Sequence, residues 1–171
     1  MAAFEDIGEG EGTDSSTMRG RGWPSLRQFC VFLENRVGRL HDLLRHLERH
    51  DLHVVGLSVV DSVDYCAIRI ILHDVDRARE VFNLSKFTVI ENDILGVVLP
   101  DSGQPFIEIF LALMSAEINI SYAYPILFRH DGRGAMALHV DNIDQASHVL
   151  EAKGHTLVRE DDLLTDWPGP Y

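Results

Sequence analysis

The stretch Glu34-Asn35-Arg36-Val37-Gly38-Arg39-Leu40 has the residue types and spacing to hold a small charged molecule. It leads from a β-rich segment into one of helical period, and Gly38 lets the backbone turn closely at the mouth of that helix. Free N–H groups and the helix dipole favour an anion there, such as a carboxylate. Arg36 and Arg39 add positive charge, and the Asn35 amide can accept from an ammonium as well as donate. Together they suit a small zwitterion. The same residues also make a plain turn and helix start, and the residues alone leave both open.

Other chemistry is sparse. Among nine histidines, His46, His50 and His53 have the i, i+4, i+7 arithmetic of one helical face, a spacing that can hold a metal. The apolar face of that helix is instead Leu40, Leu43, Leu44 and Leu47, and His53 lies past its end, so solvated surface histidines and no metal are expected. Tyr122 and Tyr124 share a strand face near Asn119 and Ile120, where lining a pocket, touching another subunit and packing in a sheet are all open. Gly132-Arg133-Gly134 reads as a hairpin turn, because it lacks the strand-to-helix setting of a nucleotide loop. No nucleophile-base-orienter set, HExxH, Walker or CxxC pattern occurs, so neither catalysis nor a cofactor is expected.

The elements that must position these residues follow from periodicity. Leu26 to Leu33 is a strand, and Leu40, Leu43, Leu44 and Leu47 form one face of a helix. His53 to Val60 and Tyr65 to Leu72 are two β-rich runs separated by the turn Asp61-Ser62-Val63-Asp64. Ala78, Val81 and Phe82 mark a second helix, and Phe87 to Ile90 a fourth strand. The order is strand, helix, strand, strand, helix, strand, and it then restarts.

At an offset of 66, Leu40, Leu43, Leu44 and Leu47 map onto Phe106, Ile109, Phe110 and Leu113, and Leu52-His53-Val54 onto Ile118-Asn119-Ile120. At an offset of 68, Asp76-Arg77-Ala78 maps onto Asp144-Gln145-Ala146, Thr88 onto Thr156, and Asp93-Ile94-Leu95 onto Asp161-Asp162-Leu163. The gain of two residues falls in the turn Arg129 to Gly134. The fold class is therefore α+β: two tandem βαββαβ, ferredoxin-like modules over 26–92 and 93–165, with antiparallel sheets and helices on one face. Each module alone leaves a bare sheet face and open edges, so the two are expected to pair with each other.

Residues 1–25, rich in Gly, Glu, Asp and Ser, read as a disordered acidic tail, and residues 166–171 as a turn-like C-terminal tail. The whole chain has 171 residues and a formal charge of −12, from 15 Lys+Arg against 27 Asp+Glu. That balance, without a basic cluster, argues against nucleic acid and anionic membranes as partners. No apolar run is long enough to span a bilayer and no signal peptide is evident, so a cytoplasmic location is expected. Cys30 and Cys66, each in an apolar strand-like segment, read as buried reduced thiols; a disulfide is conceivable only if their strands lie side by side.

The stretch Phe32 to Leu40, followed by Leu52-His53-Val54 and by Ile118-Asn119-Ile120 in the second copy, resembles the ACT domain, a small ligand-binding module of amino-acid metabolism. Two copies over residues 26–165 resemble the free-standing tandem ACT proteins of bacteria. The resemblance implies a non-catalytic regulatory protein that binds a small amino acid or related carboxylate between two modules and signals to a partner. Carried over by position, it points to Asn35, Arg36, Val37, Gly38, Arg39 and Leu40 facing Asn119 and Ile120. The reciprocal pocket uses Asp101, Ser102, Gly103 and Gln104 with His53 and Val54. The second copy departs from the pattern, with Gln104 in place of Gly38, Gly103 one residue early and Pro105 following. A homodimer is expected, because paired modules still leave exposed surface. The alternative is a ligand-independent regulatory subunit that docks onto an amino-acid biosynthetic enzyme.

Overall fold

The computed structural model describes residues 23–165; residues 166–171 and all but the last three residues of the tail 1–25 lie outside them. The elements run β1 (Leu26–Glu34), α1 (Arg39–Arg49), β2 (Val54–Asp61), β3 (Tyr65–Leu72), α2 (Val75–Asn83), β4 (Thr88–Val98), α3 (Pro105–Met114), β5 (Ile120–His130), β6 (Arg133–Val140), α4 (Ile143–Ala152), β7 (Leu157–Val158) and α5 (Glu160–Thr165). The 3.6-residue leucine period does make α1: Leu43 and Leu47 are buried, Leu40 half-buried, and Leu44 sits at the exposed border of the stripe. At the insertion, the β5–β6 hairpin needs only two turn residues, Asp131 and Gly132, both at positive φ (50° and 77°). That is the geometry whose twist matches paired strands. The rest of the Arg129–Gly134 stretch extends the two strands.

One seven-stranded sheet is found where two separate sheets are expected, in the order β1-β3-β2-β5-β6-β4-β7, and β1 also pairs with β4. Six strands thus close on themselves, all through antiparallel pairs. The closure comes from β4, which runs unbroken through positions 92 and 93. Its first part pairs with β1 (Leu26↔Ile94 to Phe32↔Thr88) and its last part with β6 and β7 (Leu95↔Leu138, Gly96↔Val158). The second seam is β2 against β5 at Gly56↔Ile126. A Cβ on Gly56 would stand 2.8 Å from the Ile126 side chain and 3.1 Å from the Tyr124 ring, so the glycine is what lets the two halves approach.

Three cores result. Helices α1 and α2 cover one outer part of the sheet through Phe29, Val31, Ile68, Ile70, Phe82 and their neighbours. Helices α3 and α4 cover another through Leu95, Val97, Ile109, Leu113, Leu138 and Leu150. The third core lies inside the closed sheet, where Leu26, Ile71, Ile94, Tyr124, Ile126 and Phe128 meet, with Val158 and Leu163 from the C-terminal segment. Each half covers the bare face of the other.

Sequence equivalence between the copies ends near the C-terminus. Asp93-Ile94-Leu95 lies in β4, whereas Asp161-Asp162-Leu163 belongs to α5, a helix absent from the periodic pattern and anchored by the Asp162 carboxylate accepting from the Arg159 N–H at 2.7 Å. The two cysteines are free and half-buried rather than fully buried. Their strands do lie side by side, but Cys30 faces Arg69 and Cys66 faces Leu33, three registers apart and on opposite faces of the sheet, which excludes a bond between them.

Candidate functional site

The start of α1 is built as an open helix mouth. Gly38 is its N-cap residue at φ 95° and supplies no side-chain oxygen to the first-turn N–H groups. The equivalent helix in the second half, α3, is likewise uncapped at Gln104 and begins with Pro105. By contrast, both second helices are closed: the Asp74 carboxylate accepts from the Arg77 N–H and the Asn142 side chain accepts from the Gln145 N–H, each at 3.0 Å. A cap of that kind is worth about 1 kcal/mol. The chain therefore caps α2 and α4 and leaves the mouths of α1 and α3 open.

Asn35 anchors the first mouth. Its side-chain amide donates to Asp61 Oδ1 at 2.8 Å and to the Ser62 carbonyl at 3.0 Å, and its backbone N–H donates to the Asp64 carbonyl. Both amide N–H groups are thus used, and its oxygen remains as an acceptor. The positive charge read from Arg36 and Arg39 is shared with Glu34, whose carboxylate stands 3.6 and 3.9 Å from the two guanidinium groups. All three side chains are exposed, so these pairs are weak and give way readily to a ligand carboxylate. Val37 is fully exposed, and nothing lies within 4 Å of a Cβ placed on Gly38.

Asn119 and Ile120 stand at the start of β5. Because β5 runs antiparallel to β2 through Gly56↔Ile126, that start lies at the same end of the sheet as Asp61 and the loop tied to it. No hydrogen bond or ion pair joins residues 35–40 to Asn119 or Ile120; the Asn119 N–H instead donates to the Asp141 carboxylate. At the opposite end, Asp101, Ser102, Gly103 and Gln104 are exposed and make no bond to His53 or Val54. His53 and Val54 open into a cleft of about 440 Å³ whose other walls are α1 and the α1–β2 connection, His41, Leu44, Arg45 and Asp51 among them.

The histidines do not converge as a trio. The His46 and His50 rings are 4.8 Å apart on α1, whereas His53 packs against His73 at 4.9 Å and pairs with Asp51. Among the described residues no group of three or more His, Cys, Asp or Glu is placed to hold a metal ion, and no helix is long and apolar enough to cross a membrane. Burial, with neighbouring positive charge, holds His46, His73 and His139 below the ordinary histidine value of 6.5. Their unfolded-state pKa is the higher one, so they add stability above it that is lost as pH falls below about 6.5. Glu160, pushed above 4.5 by burial, acts in the opposite sense, costing stability as pH rises through its window. Chemical unfolding between pH 7.5 and 5 is expected to show stability falling towards pH 5, more steeply in Glu160→Gln and less steeply in His139→Gln.

Two features were not read from the sequence. Inside the closed sheet, Gln28, fully buried, donates to the Tyr122 hydroxyl at 2.8 Å and to Asn92 Oδ1 at 3.0 Å, and its carbonyl accepts from the Tyr124 hydroxyl at 2.6 Å. Tyr122 and Tyr124, left open between three roles, thus face the interior between the two halves. The available signal was a polar residue at an inward position of an apolar strand, Gln28 in β1 and Arg69 in β3. The other missed feature is the outer face of α3. Applying the offset of 66 to His41, Arg45 and Glu48 of α1 gives Ile107, Leu111 and Met114, exposed at 51, 59 and 64%.

A doubled βα arrangement around one closed antiparallel sheet, with an uncapped helix mouth in each half, defines a paired-module protein. The chain matches the family model described as an ACT domain pair over residues 25–166, and it belongs to that family. In fold it is similar to the protein BT0572 from Bacteroides thetaiotaomicron, at 24% identity with a TM-score of 0.75, covering 83% of this chain and 97% of that one. It is also similar to the ligand-free regulatory subunit of aspartate kinase from Thermus thermophilus, at 13% identity with a TM-score of 0.55, covering 79% and 94%. No curated protein matches the chain in sequence.

Proposed function

We propose that the chain is a non-catalytic regulatory protein whose two ferredoxin-like ACT modules, 26–92 and 93–165, bind a small amino acid or related carboxylate and pass that state to a partner. The observation that carries this reading is the selective absence of caps: α2 and α4 are closed by Asp74 and Asn142, while α1 and α3 have no side-chain cap, the Arg39 N–H turning back to the Arg36 carbonyl and Pro105 having none to offer. At α1 the free Asn35 oxygen adds an ammonium acceptor beside a carboxylate-seeking helix end, and Asn119 and Ile120 stand at that same end. Ligand joining the two halves favours one packing of them, and it shifts an assembly by its difference in affinity between states.

The test is thermal unfolding of the tag-free protein against the common amino acids and their 2-oxo acids. A native-state ligand raises stability as RT ln(1 + [L]/Kd), so one compound is expected to give a dose-dependent rise. No rise across the panel at millimolar concentrations overturns ligand sensing and leaves docking onto a biosynthetic enzyme.

The protein acts as a homodimer through α3. Ile107, Leu111 and Met114 make an i, i+4, i+7 apolar stripe with Phe106 alongside, where α1 carries charged and polar residues at the matching positions. A two-fold contact pairs this stripe with itself and removes it from water. Leu111→Glu places a charge at its centre and is expected to convert a dimer to a monomer in sedimentation equilibrium without changing the unfolding midpoint of the monomer core. A wild-type monomer, or an undisturbed dimer in the variant, rules the α3 interface out.

A further inference from the structure

We propose that the open end of the closed sheet, around Arg69, Tyr122 and His139, is a second binding site, for a small monocarboxylate, separate from the α1 mouth and independent of it.

The observation behind this is an uncompensated cation between the two halves. Arg69 projects inward from β3, where the register sets it beside Cys30 of β1 and Ser58 of β2, and its guanidinium carbon lies 3.6 Å from the centroid of the Tyr122 ring. Its guanidinium has no carboxylate partner and makes no hydrogen bond among the described residues. Arg27 and Arg79, the other well-enclosed arginines, each meet a carboxylate at 3.0 Å or less. The ring meets the face of the guanidinium carbon, and the guanidinium N–H groups have no acceptor among the described residues.

The surroundings fit an anion and not a cation. The inward positions level with Arg69 are Gln28 and Cys30 on β1, Asn92 on β4, Tyr122 on β5 and His139 on β6, and none is acidic. His139 stacks on Tyr122 with ring centroids 4.7 Å apart, and its Nδ1 is buried without a hydrogen-bond partner. Burial, and after it the Arg69 charge, lower the proton affinity of that imidazole, and an arriving anion offsets the second of these influences. Gln28 holds Tyr122 through its hydroxyl and so fixes the platform under the guanidinium.

The ligand class follows from the donor set. One planar fork matches one carboxylate in a two-bond pair, whereas a dianionic phosphate calls for more positive charge than a single arginine supplies.

The experiment is an NMR titration of the full chain with sodium acetate and then sodium pyruvate, with sodium chloride at matched ionic strength as control. The Arg69 Nε–Hε and His139 imidazole resonances are expected to move saturably with either carboxylate and not with chloride, and Arg27 and Arg79 to stay still. Arg69→Gln is expected to weaken binding at least about tenfold, consistent with loss of a charged hydrogen-bond pair, while Gly38→Val leaves it intact. Arg69 resonances that stay still in both titrations, or that shift equally with chloride, overturn the proposal even if Arg69→Gln does not fold. So does binding that survives in Arg69→Gln and disappears in Gly38→Val, which assigns the carboxylate to the α1 mouth alone.

Discussion

Arg27→Met is expected to cost about 3–5 kcal/mol of stability, the range for removing one partner from an enclosed ion-pair cluster. The Arg27 side chain is 8% exposed and stands 3.0 Å from Asp93, with Glu91 and Glu160 each at 3.9 Å. Glu91 keeps its two-bond pair with Arg79 at 2.8 and 3.0 Å when Arg27 is lost, but Asp93 and Glu160 then face each other's charge in a poorly solvated setting. The position matters because Arg27 lies on β1, Asp93 on β4 and Glu160 on α5. One side chain therefore joins the first strand, the long strand β4 and the C-terminal helix. Since a domain of this size is stable by about 5–15 kcal/mol, the variant is expected to unfold at a markedly lower denaturant midpoint. The double variant Arg27→Met, Asp93→Leu is expected to recover part of the loss, by removing the carboxylate left most exposed to repulsion. A midpoint for Arg27→Met within experimental error of the parent excludes a structural role for the cluster.

This cluster also explains which parts of the fold were legible in the sequence. Helix α1 and strand β3 follow from local periodicity, because a helix or strand that buries one face writes that face into its own residues. Strand β4 did not. Its centre reads Glu91-Asn92-Asp93, a polar run that looks like the break between two copies. Each of those residues meets a partner on another element: Glu91 meets Arg79 of α2, Asn92 meets Gln28 of β1, and Asp93 meets Arg27 of β1. Polar residues end a strand only when nothing across the sheet answers them, and periodicity carries no information about what lies across. The continuation of β4 into the second half, which closes the sheet, was hidden for the same reason.

The candidate site divides along similar lines. The turn geometry of Gly38 is local and could be read from the residue, and the structure places it at φ 95°. The neutralising share of Glu34 is also local, because its carboxylate is two and five residues from the arginines it meets. Arg69 meeting Tyr122 is not local at all: the two lie on strands from different halves, and only the β2–β5 seam makes them neighbours. A lone arginine in an apolar strand indicates that something must answer its charge, without indicating what.

Gly38→Val is the sharpest test of the α1 mouth. At φ 95° any L side chain is disfavoured by about 1–2 kcal/mol, but a Cβ there meets nothing within 4 Å, so the fold should persist with a modest loss of stability. The branched side chain would nevertheless fill open space beside the uncapped helix start, and is expected to obstruct the approach that a carboxylate needs. With the effector at 100 times its dissociation constant, the parent should gain about 2.7 kcal/mol and the variant essentially none. Gly103→Val is the matching change at the other end of the sheet, where a Cβ also meets nothing and no positive φ is imposed. A ligand response that survives in Gly38→Val and disappears in Gly103→Val moves the site to Asp101–Gln104, His53 and Val54. Loss in Gly38→Val alone makes α1 the working mouth and gives a physical reason for the divergence of the second copy, since Pro105 and Gln104 replace the open glycine turn with a stiffer entry.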